Sequence, residues 1–67
     1  MQLNPTKVKV ATFRKGLNQR KVTELSGLSY SAVNSVYNGK STTEETARKI
    51  AEVLGVSLET IKAKGER

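Results

Sequence analysis

The 67-residue chain contains no cysteine and no histidine. Without cysteine it can form no disulfide, offers no thiol nucleophile and cannot build a cysteine-ligated metal site. Without histidine it lacks the commonest protein metal ligand and the side chain that most often acts as a general base near neutral pH. Both absences argue against an enzyme and against a metalloprotein, so we expect no catalytic residues, no metal site and no cofactor.

Long apolar runs are missing as well. No stretch approaches the ~20 apolar residues needed to cross a bilayer, and the N-terminal segment MQLNPTKVKV lacks the apolar core of a signal peptide. A chain of this length buries only ~60% of its extended surface on folding, which leaves no room for a large ligand cavity. The sequence thus predicts a single cytoplasmic domain over residues 1–67, with no membrane association and no small-molecule ligand.

Acidic residues are nearly absent from the first 40 positions, where Glu24 stands against seven lysine and arginine side chains. Residues 41–67 contain five basic and five acidic residues, so the whole net charge of +6 lies in the first part. A basic surface can simply keep a protein in solution, but positive charge confined to one part of a chain favours a polyanionic partner. The charge distribution therefore favours a nucleic acid.

Residues 19–38 contain two short helical patterns joined by a Ser-Gly-Leu-Ser turn. Asn18 and Ser29 are N-cap candidates, because their side chains can accept a hydrogen bond from an unpaired N–H group of the first helical turn. We expect helices over residues 19–26 and 30–38. Helices this short are not stable alone and need support from flanking elements. The pattern predicts a helix-turn-helix over this stretch.

The second of these helices has two unlike faces. Val33 and Val36 fall on one side, and the other side is polar and uncharged. The polar side consists of residues at i, i+3, i+4 and i+7, namely Ser31, Asn34, Ser35 and Asn38. Hydroxyl and amide groups both donate and accept hydrogen bonds, as the reading of base edges in the DNA major groove requires. The inner face of the preceding helix is predicted from four residues, Val22, Thr23, Leu25 and Ser26.

Helices are also predicted before and after this pair. Asn4-Pro5 favours a helix start, with the helix running to about Lys15. Residues 8–13 are rich in strand-forming side chains, so an extended segment is the alternative there. Val10 and Phe13 lie off the expected inner face, and they either pack on the C-terminal helix or leave an exposed apolar patch.

The second half of the chain shows two more helix starts. After Lys40, a capping box is predicted from either Ser41 with Glu44 or Thr42 with Glu45. The helix that follows presents apolar residues at i, i+3, i+4 and i+7, namely Ala47, Ile50, Ala51 and Leu54. A last helix is expected from Ser57 as its N-cap towards Gly65.

Several short motifs, each present once, are distributed over nearly the whole chain. They are Gly16-Leu17-Asn18-Gln19, Val22-Thr23, Gly27-Leu28-Ser29, Val33, Val36, Asn38-Gly39-Lys40 and Ile50-Ala51-Glu52-Val53-Leu54-Gly55-Val56-Ser57. Together they resemble the phage repressor and Cro type of helix-turn-helix protein, also called Xre-like. The chain departs from that pattern at Thr12, where arginine is usual, at Thr23 for alanine, at Ser26 for an apolar residue and at Glu44 for leucine. The resemblance implies an all-α, compact, lambda-repressor-like DNA-binding domain of four to five helices with a central helix-turn-helix.

The resemblance also implies roles for individual residues. Base-edge contacts are implied for Tyr30, Ser31 and Ser35, and Asn34 shares their face. Packing over the core is the alternative for Tyr30. Gln19 resembles the family residue that binds a phosphate, and Ser29, Asn38 and Lys40 are further predicted phosphate contacts. Arg20 and Lys21 are either phosphate contacts or ordinary solvated charges. Asparagine can pair with adenine through two hydrogen bonds, and the reading face has no arginine or lysine to grip guanine. We therefore expect modest specificity with a preference for A·T pairs, and expect Tyr37 to pack inside.

The sequence favours a sequence-specific, double-stranded DNA-binding transcriptional regulator of phage or mobile-element type, acting as a repressor and not as an enzyme. One recognition helix offers too few contacts to find a site in a genome, so a homodimer on a palindromic operator is expected. The protein would then work in the bacterial nucleoid or in a phage-infected cell. One alternative is an antitoxin-like or other protein-interaction module of the same fold. Another is the headpiece of a larger regulator similar to the lactose repressor.

Overall fold

The computed structural model describes residues 1–63, which form five helices. They are α1 (Pro5–Arg14), α2 (Gln19–Ser26), α3 (Tyr30–Tyr37), α4 (Glu44–Leu54) and α5 (Leu58–Ile61). No β-strand occurs in this part of the chain, so the predicted all-α class is confirmed. The helix bounds are also close to those expected, although α5 ends at Ile61 and the expected end at Gly65 lies outside the described residues.

Four of the predicted N-caps are confirmed, Ser57 of α5 without a side-chain cap bond and the other three with one. Asn4 Oδ1 accepts a hydrogen bond from the backbone nitrogen of Lys7 at 3.1 Å, and Asn18 Oδ1 accepts one from that of Lys21 at 2.8 Å. Ser29 Oγ accepts one from Ala32 at 3.2 Å. Each of these bonds satisfies an N–H group that has no partner inside its own helix.

Two predicted helix ends are one residue too long. The first helix was expected to reach Lys15, and the recognition helix was expected over residues 30–38. In the structure Lys15 and Asn38 are the C-caps of α1 and α3. The Asn38 backbone nitrogen still bonds to the Asn34 carbonyl at 3.0 Å, but its ψ of 5° is already outside the helical range, as is common in a last turn.

The capping box predicted for α4 is wrong in both of its versions. Thr43 is the N-cap, and its Oγ1 accepts a hydrogen bond from the Thr46 backbone nitrogen at 3.2 Å. The helix starts later than expected because the Thr42 backbone is held elsewhere. Its nitrogen donates to the Met1 carbonyl at 2.7 Å, and its carbonyl accepts from the Met1 nitrogen at 3.0 Å.

The apolar core is formed by side chains from all five helices and the N-terminus. Its buried members are Leu3, Val8, Ala11, Val22, Val33, Val36, Tyr37, Ala47, Ile50, Ala51, Leu54 and Ile61. The four positions predicted for the inner face of α4 are all among them, so that prediction is confirmed. In α2 only Val22 is buried, and Leu25, expected inside, is 57% exposed. Val22 shares the inner face of α2 with the half-buried Thr23 and Ser26, and Leu25 lies outside that face at helical spacing.

The strand-forming segment 8–13 is helical, so the extended alternative is ruled out. Val8, Ala11 and Thr12 form the buried face of α1, at the spacing of one helix face. Phe13 does not pack on the C-terminal helix, because it is 83% exposed. Val10 is 44% exposed and lines a groove with Val56 and Thr60 at the C-terminal helix. The two side chains leave an apolar patch on the surface of α1.

An extended N-terminal segment, residues 1–4, closes the core between the α3–α4 connection and the end of α5. Leu3, which the sequence analysis did not single out, is 1% exposed. The segment is bonded to α5 and its end through Asn4, whose nitrogen donates to the Ile61 carbonyl at 2.8 Å, and through Ala63, whose nitrogen donates to the Gln2 carbonyl at 3.1 Å. These bonds give an antiparallel bridge between Leu3 and Lys62.

A buried pair of hydroxyl groups joins α1 to α3. Thr12 Oγ1 donates to the Val8 carbonyl at 2.7 Å and lies 2.5 Å from the Tyr37 hydroxyl oxygen. Because the threonine hydroxyl has one proton and gives it to Val8, the Tyr37 hydroxyl is the donor to Thr12. Burial raises the pKa of Tyr37, against a smaller opposing effect of its bond to Thr12. The expected inward packing of Tyr37 is confirmed, since it is 5% exposed.

Candidate nucleic-acid interface

The turn between α2 and α3 is fixed by a left-handed glycine. Gly27 has φ 75°, a conformation that side chains disfavour, and its nitrogen donates to the Thr23 carbonyl at 3.2 Å. Ser26 tightens the same turn, since its Oγ donates to the Thr23 carbonyl and accepts from the Leu28 nitrogen, both at 3.2 Å. Ser26, which replaces an apolar residue of the family pattern, thus has a local structural role.

Burial of one side of α3 directs its other side outward. Val33 and Val36 are fully buried, while Ser31 and Asn38 are exposed and Asn34 and Ser35 are half-buried. The outward face therefore carries the hydroxyl and amide groups predicted to read bases. Tyr30, at the first position of α3, is 58% exposed. An exposed aromatic ring with a polar tip beside this face is available to a ligand.

Two amide side chains that were expected to contact different parts of DNA are joined to each other. Gln19 Nε2 donates to Asn34 Oδ1 at 2.9 Å, across the gap between α2 and α3. Gln19 is the first residue of α2, and its backbone carbonyl accepts a hydrogen bond from Thr23 Oγ1 at 2.9 Å. Thr23, which replaces the alanine of the family pattern, thus bonds back to the backbone of its own helix. The Gln19–Asn34 bond could not be predicted from local sequence patterns, because the two residues are 15 positions apart.

The predicted phosphate contacts surround this face but differ in their availability. Ser29 is exposed, and its oxygen already serves as the N-cap of α3, which leaves its hydroxyl proton free to be donated. Asn38 and Lys40 are exposed where α3 ends, and Lys40 is positioned through its backbone nitrogen, which donates to the Ser35 carbonyl at 2.9 Å.

Arg20 and Lys21 share one acidic neighbour, which the sequence analysis did not foresee. Arg20 Nε lies 3.7 Å from Glu24 Oε2, and Lys21 Nζ lies 3.8 Å from Glu24 Oε1. All three side chains are exposed, so these ion pairs contribute little to stability and can open at small cost. Glu24 nevertheless offsets part of the positive charge of α2.

The remaining cations of the first 40 residues have no acidic partner. Within residues 1–63 no salt bridge involves five of them, namely Lys7, Lys9, Arg14, Lys15 and Lys40. By contrast Arg48, Lys49 and Lys62 each lie within salt-bridge distance of a glutamate. The charge asymmetry of the sequence is thus also an asymmetry of ion pairing, and the half that contains α2 and α3 retains its positive field.

Five short helices, a left-handed glycine turn between α2 and α3 and an outward polar face on α3 define a helix-turn-helix domain. The family model described as Helix-turn-helix matches residues 10–61, and the chain belongs to this family, the Xre and Cro-like helix-turn-helix proteins. Comparisons with curated proteins and with solved structures each gave no match.

Membership of this family indicates a DNA-binding regulator, and the family is generally non-enzymatic. The matched range covers all of α2, α3, α4 and α5 and the second half of α1. The extended N-terminal segment with Leu3 lies outside it. Among residues 1–63, no helix combines the length and the apolar character that crossing a membrane would need.

Proposed function

We propose that the chain is a sequence-specific regulator of transcription, acting as a repressor, with α3 in the major groove of double-stranded DNA. The observation that carries the proposal is the outward face of α3, which is polar and uncharged. It lies in the half of the chain where Arg20 and Lys21 share one glutamate and where, among residues 1–63, five other cations form no salt bridge. Uncharged groups on such a face suit base edges, and the surrounding cations suit phosphates. Tyr30, Ser31, Asn34 and Ser35 are the proposed base contacts.

The proposed phosphate contacts are the residues around that face, Gln19, Ser29, Asn38, Lys40, Arg20 and Lys21. Gln19 stands at the N-terminus of α2, where backbone N–H groups point outward and favour an anion. A regulator of this kind acts in the cytoplasm, at the nucleoid or in a phage-infected cell, and the proposed origin is a phage or mobile element.

We further propose that two copies bind a palindromic operator. The few small polar side chains on the outward face of α3 discriminate only weakly between base pairs, since each good base contact is worth only ~1–3 kcal/mol. The Cα envelope of one copy measures 29 × 22 × 17 Å. Its two shorter dimensions leave room for side chains within the ~34 Å between successive major grooves on one side of the duplex, so two copies can lie side by side with either of these dimensions along the DNA.

Selection from a pool of random duplexes tests both parts of the proposal. We expect the enriched sequences to contain two inverted half-sites with centres about 10 base pairs apart. Inserting about 5 base pairs between the half-sites turns the second recognition helix to the opposite side and should weaken binding sharply. A single half-site that binds as tightly as the full site would refute the dimer, and no enrichment at any position would refute sequence-specific binding.

Replacing Lys40 with alanine should weaken binding to all duplexes by a similar factor. Lys40 follows the end of α3 and is exposed, so it can reach a phosphate without reading a base. Loss of one phosphate contact should reduce the slope of log K against log salt by ~1. Lys49→Ala is the matched control, because Lys49 lies on α4 beside Glu45, outside the proposed interface. A loss that depends on the operator sequence would contradict a purely backbone role for Lys40.

The exposed apolar patch of Val10 and Phe13 favours the second candidate, an antitoxin-like or other protein-interaction module. Phe13 at 83% exposure is unusual for a side chain of its size in a small domain. The two candidates differ in their salt dependence, since binding to DNA falls steeply as salt rises and docking of an apolar patch does not. If the chain is the headpiece of a larger regulator, it should also bind DNA with an affinity that falls steeply as salt rises, so this measurement does not separate that alternative from the first candidate.

A further inference from the structure

The bond between Gln19 and Asn34 leaves the two ends of the Asn34 carboxamide in different situations. Its oxygen is turned towards α2, because it accepts a hydrogen bond from Gln19 Nε2 at 2.9 Å. Its nitrogen has no hydrogen-bond partner among residues 1–63. Asn34 is only half-buried on the outward face of α3, so the nitrogen, with two N–H donors, is the end left for an external ligand.

The orientation of this amide decides which base edge Asn34 can read. In the major groove adenine offers one acceptor and one donor, and asparagine matches both only when it presents its oxygen and its nitrogen together. Guanine offers two acceptors, N7 and O6, and thymine offers one, O4. We propose, on the basis of the function proposed above, that Gln19 holds Asn34 as a hydrogen-bond donor and that Asn34 therefore selects guanine, and thymine more weakly, in place of adenine.

Gln19 is well placed to impose this orientation. It is the first residue of α2, directly after the capping residue Asn18, and Thr23 Oγ1 donates a hydrogen bond to its backbone carbonyl. The left-handed turn at Gly27 sets α2 beside α3, and the Gln19 carboxamide lies within hydrogen-bond distance of Asn34, with its nitrogen as the donor. This reverses the sequence-based expectation of an adenine contact at Asn34. Gln19 acts here as a positioning residue, because it sets the polarity of a neighbour that touches the base.

Changing Gln19 to glutamate should invert the preference. A carboxylate only accepts hydrogen bonds, so Asn34 would turn its nitrogen to residue 19 and present its oxygen to the groove. The preferred bases would then be those with a donor, adenine through N6 and cytosine through N4. Glutamate suits the first turn of a helix, so Gln19→Glu should retain α2. Gln19→Ala removes the constraint and should reduce the preference without inverting it.

The experiment compares four duplexes that differ only at the base pair where Asn34→Ala abolishes discrimination. For the wild type we expect tighter binding to guanine than to adenine, by roughly fivefold to a hundredfold, the span of one base-edge contact. For Gln19→Glu we expect the order to reverse. Arg20→Gln is the charge-matched control, since it also makes the neighbouring position one unit more negative, and it should weaken all four duplexes by the same factor. Circular dichroism of each variant verifies that the fold is retained.

The outcomes separate this inference from the proposed function. A wild type that discriminates among operators but prefers adenine at this base pair overturns the inference alone. So does an unchanged order in Gln19→Glu, or an Asn34→Ala variant with unaltered preference at every position. A wild type with no preference at any base pair overturns the proposed function and the inference together.

Discussion

Replacing Leu3 with alanine is expected to lower the free energy of unfolding by ~2–5 kcal/mol, the range seen when a large buried aliphatic side chain is truncated. Leu3 is 1% exposed and packs in the core with residues from the five helices. The segment that carries it is bonded to the α3–α4 connection through Thr42 and to α5 through Ile61, so the core cannot collapse easily into the space left behind. A domain of this size has only ~3–10 kcal/mol of stability, so the loss is a large fraction of the total.

Urea denaturation at neutral pH measures this effect, and a thermal melt should show a fall of at least about 8 °C for the smallest expected loss. Leu25→Ala is the matched control, because the same side chain is removed from a position that is 57% exposed. A surface change of that kind should stay within about 0.5 kcal/mol of the wild type. Equal stability of the two variants would show that the N-terminal segment does not close the core.

Replacing Thr12 with valine should destabilise the protein by ~1–3 kcal/mol, although the two side chains have nearly the same shape. The change removes the acceptor of the buried Tyr37 hydroxyl and leaves that donor without a partner. Tyr37→Phe removes the donor instead, and Thr12 keeps its bond to the Val8 carbonyl, so its cost should be smaller, ~0.5–1.5 kcal/mol.

The double variant decides whether the two hydroxyls act as a pair. With Thr12→Val and Tyr37→Phe together, no buried group lacks a partner at this place, and the loss should be smaller than the sum of the single losses by ~0.5–3 kcal/mol. Tyr30→Phe controls for loss of a phenol hydroxyl at an exposed position. Strict additivity would mean that the Thr12–Tyr37 bond does not form in solution.

The same pair should be visible in the alkaline range. Burial raises the pKa of Tyr37 in the folded protein above its ordinary value of 10.0. The folded state therefore retains the proton where the unfolded state has lost it, so this contribution to stability is complete below pH 10 and is lost as the pH rises through the higher folded pKa. The difference in stability between wild type and Tyr37→Phe should shrink over that range, and subtraction removes the common effect of the lysines.

Local rules decided most of the helix-turn-helix in advance. The caps Asn4, Asn18 and Ser29 could be identified from the sequence, because a cap depends on neighbours within four residues. The buried face of α4 followed from its helical spacing for the same reason. In residues 8–13 of α1 the strand preference of the side chains opposes the helical spacing of the buried ones. This segment is helical because one face of α1 packs into the core.

What the sequence by itself determined is thus the helices, their inner faces and the excess of positive charge around the central pair. The tertiary structure alone decided which distant groups meet: Leu3 with the core, Thr12 with Tyr37, and Gln19 with Asn34. It also placed the N-cap of α4 at Thr43, because the backbone nitrogen and carbonyl of Thr42 are hydrogen-bonded to Met1 in the N-terminal segment. Helix periodicity shows that a side chain faces inward or outward, but a hydrogen bond between residues 15 or 25 positions apart depends on how whole helices are placed.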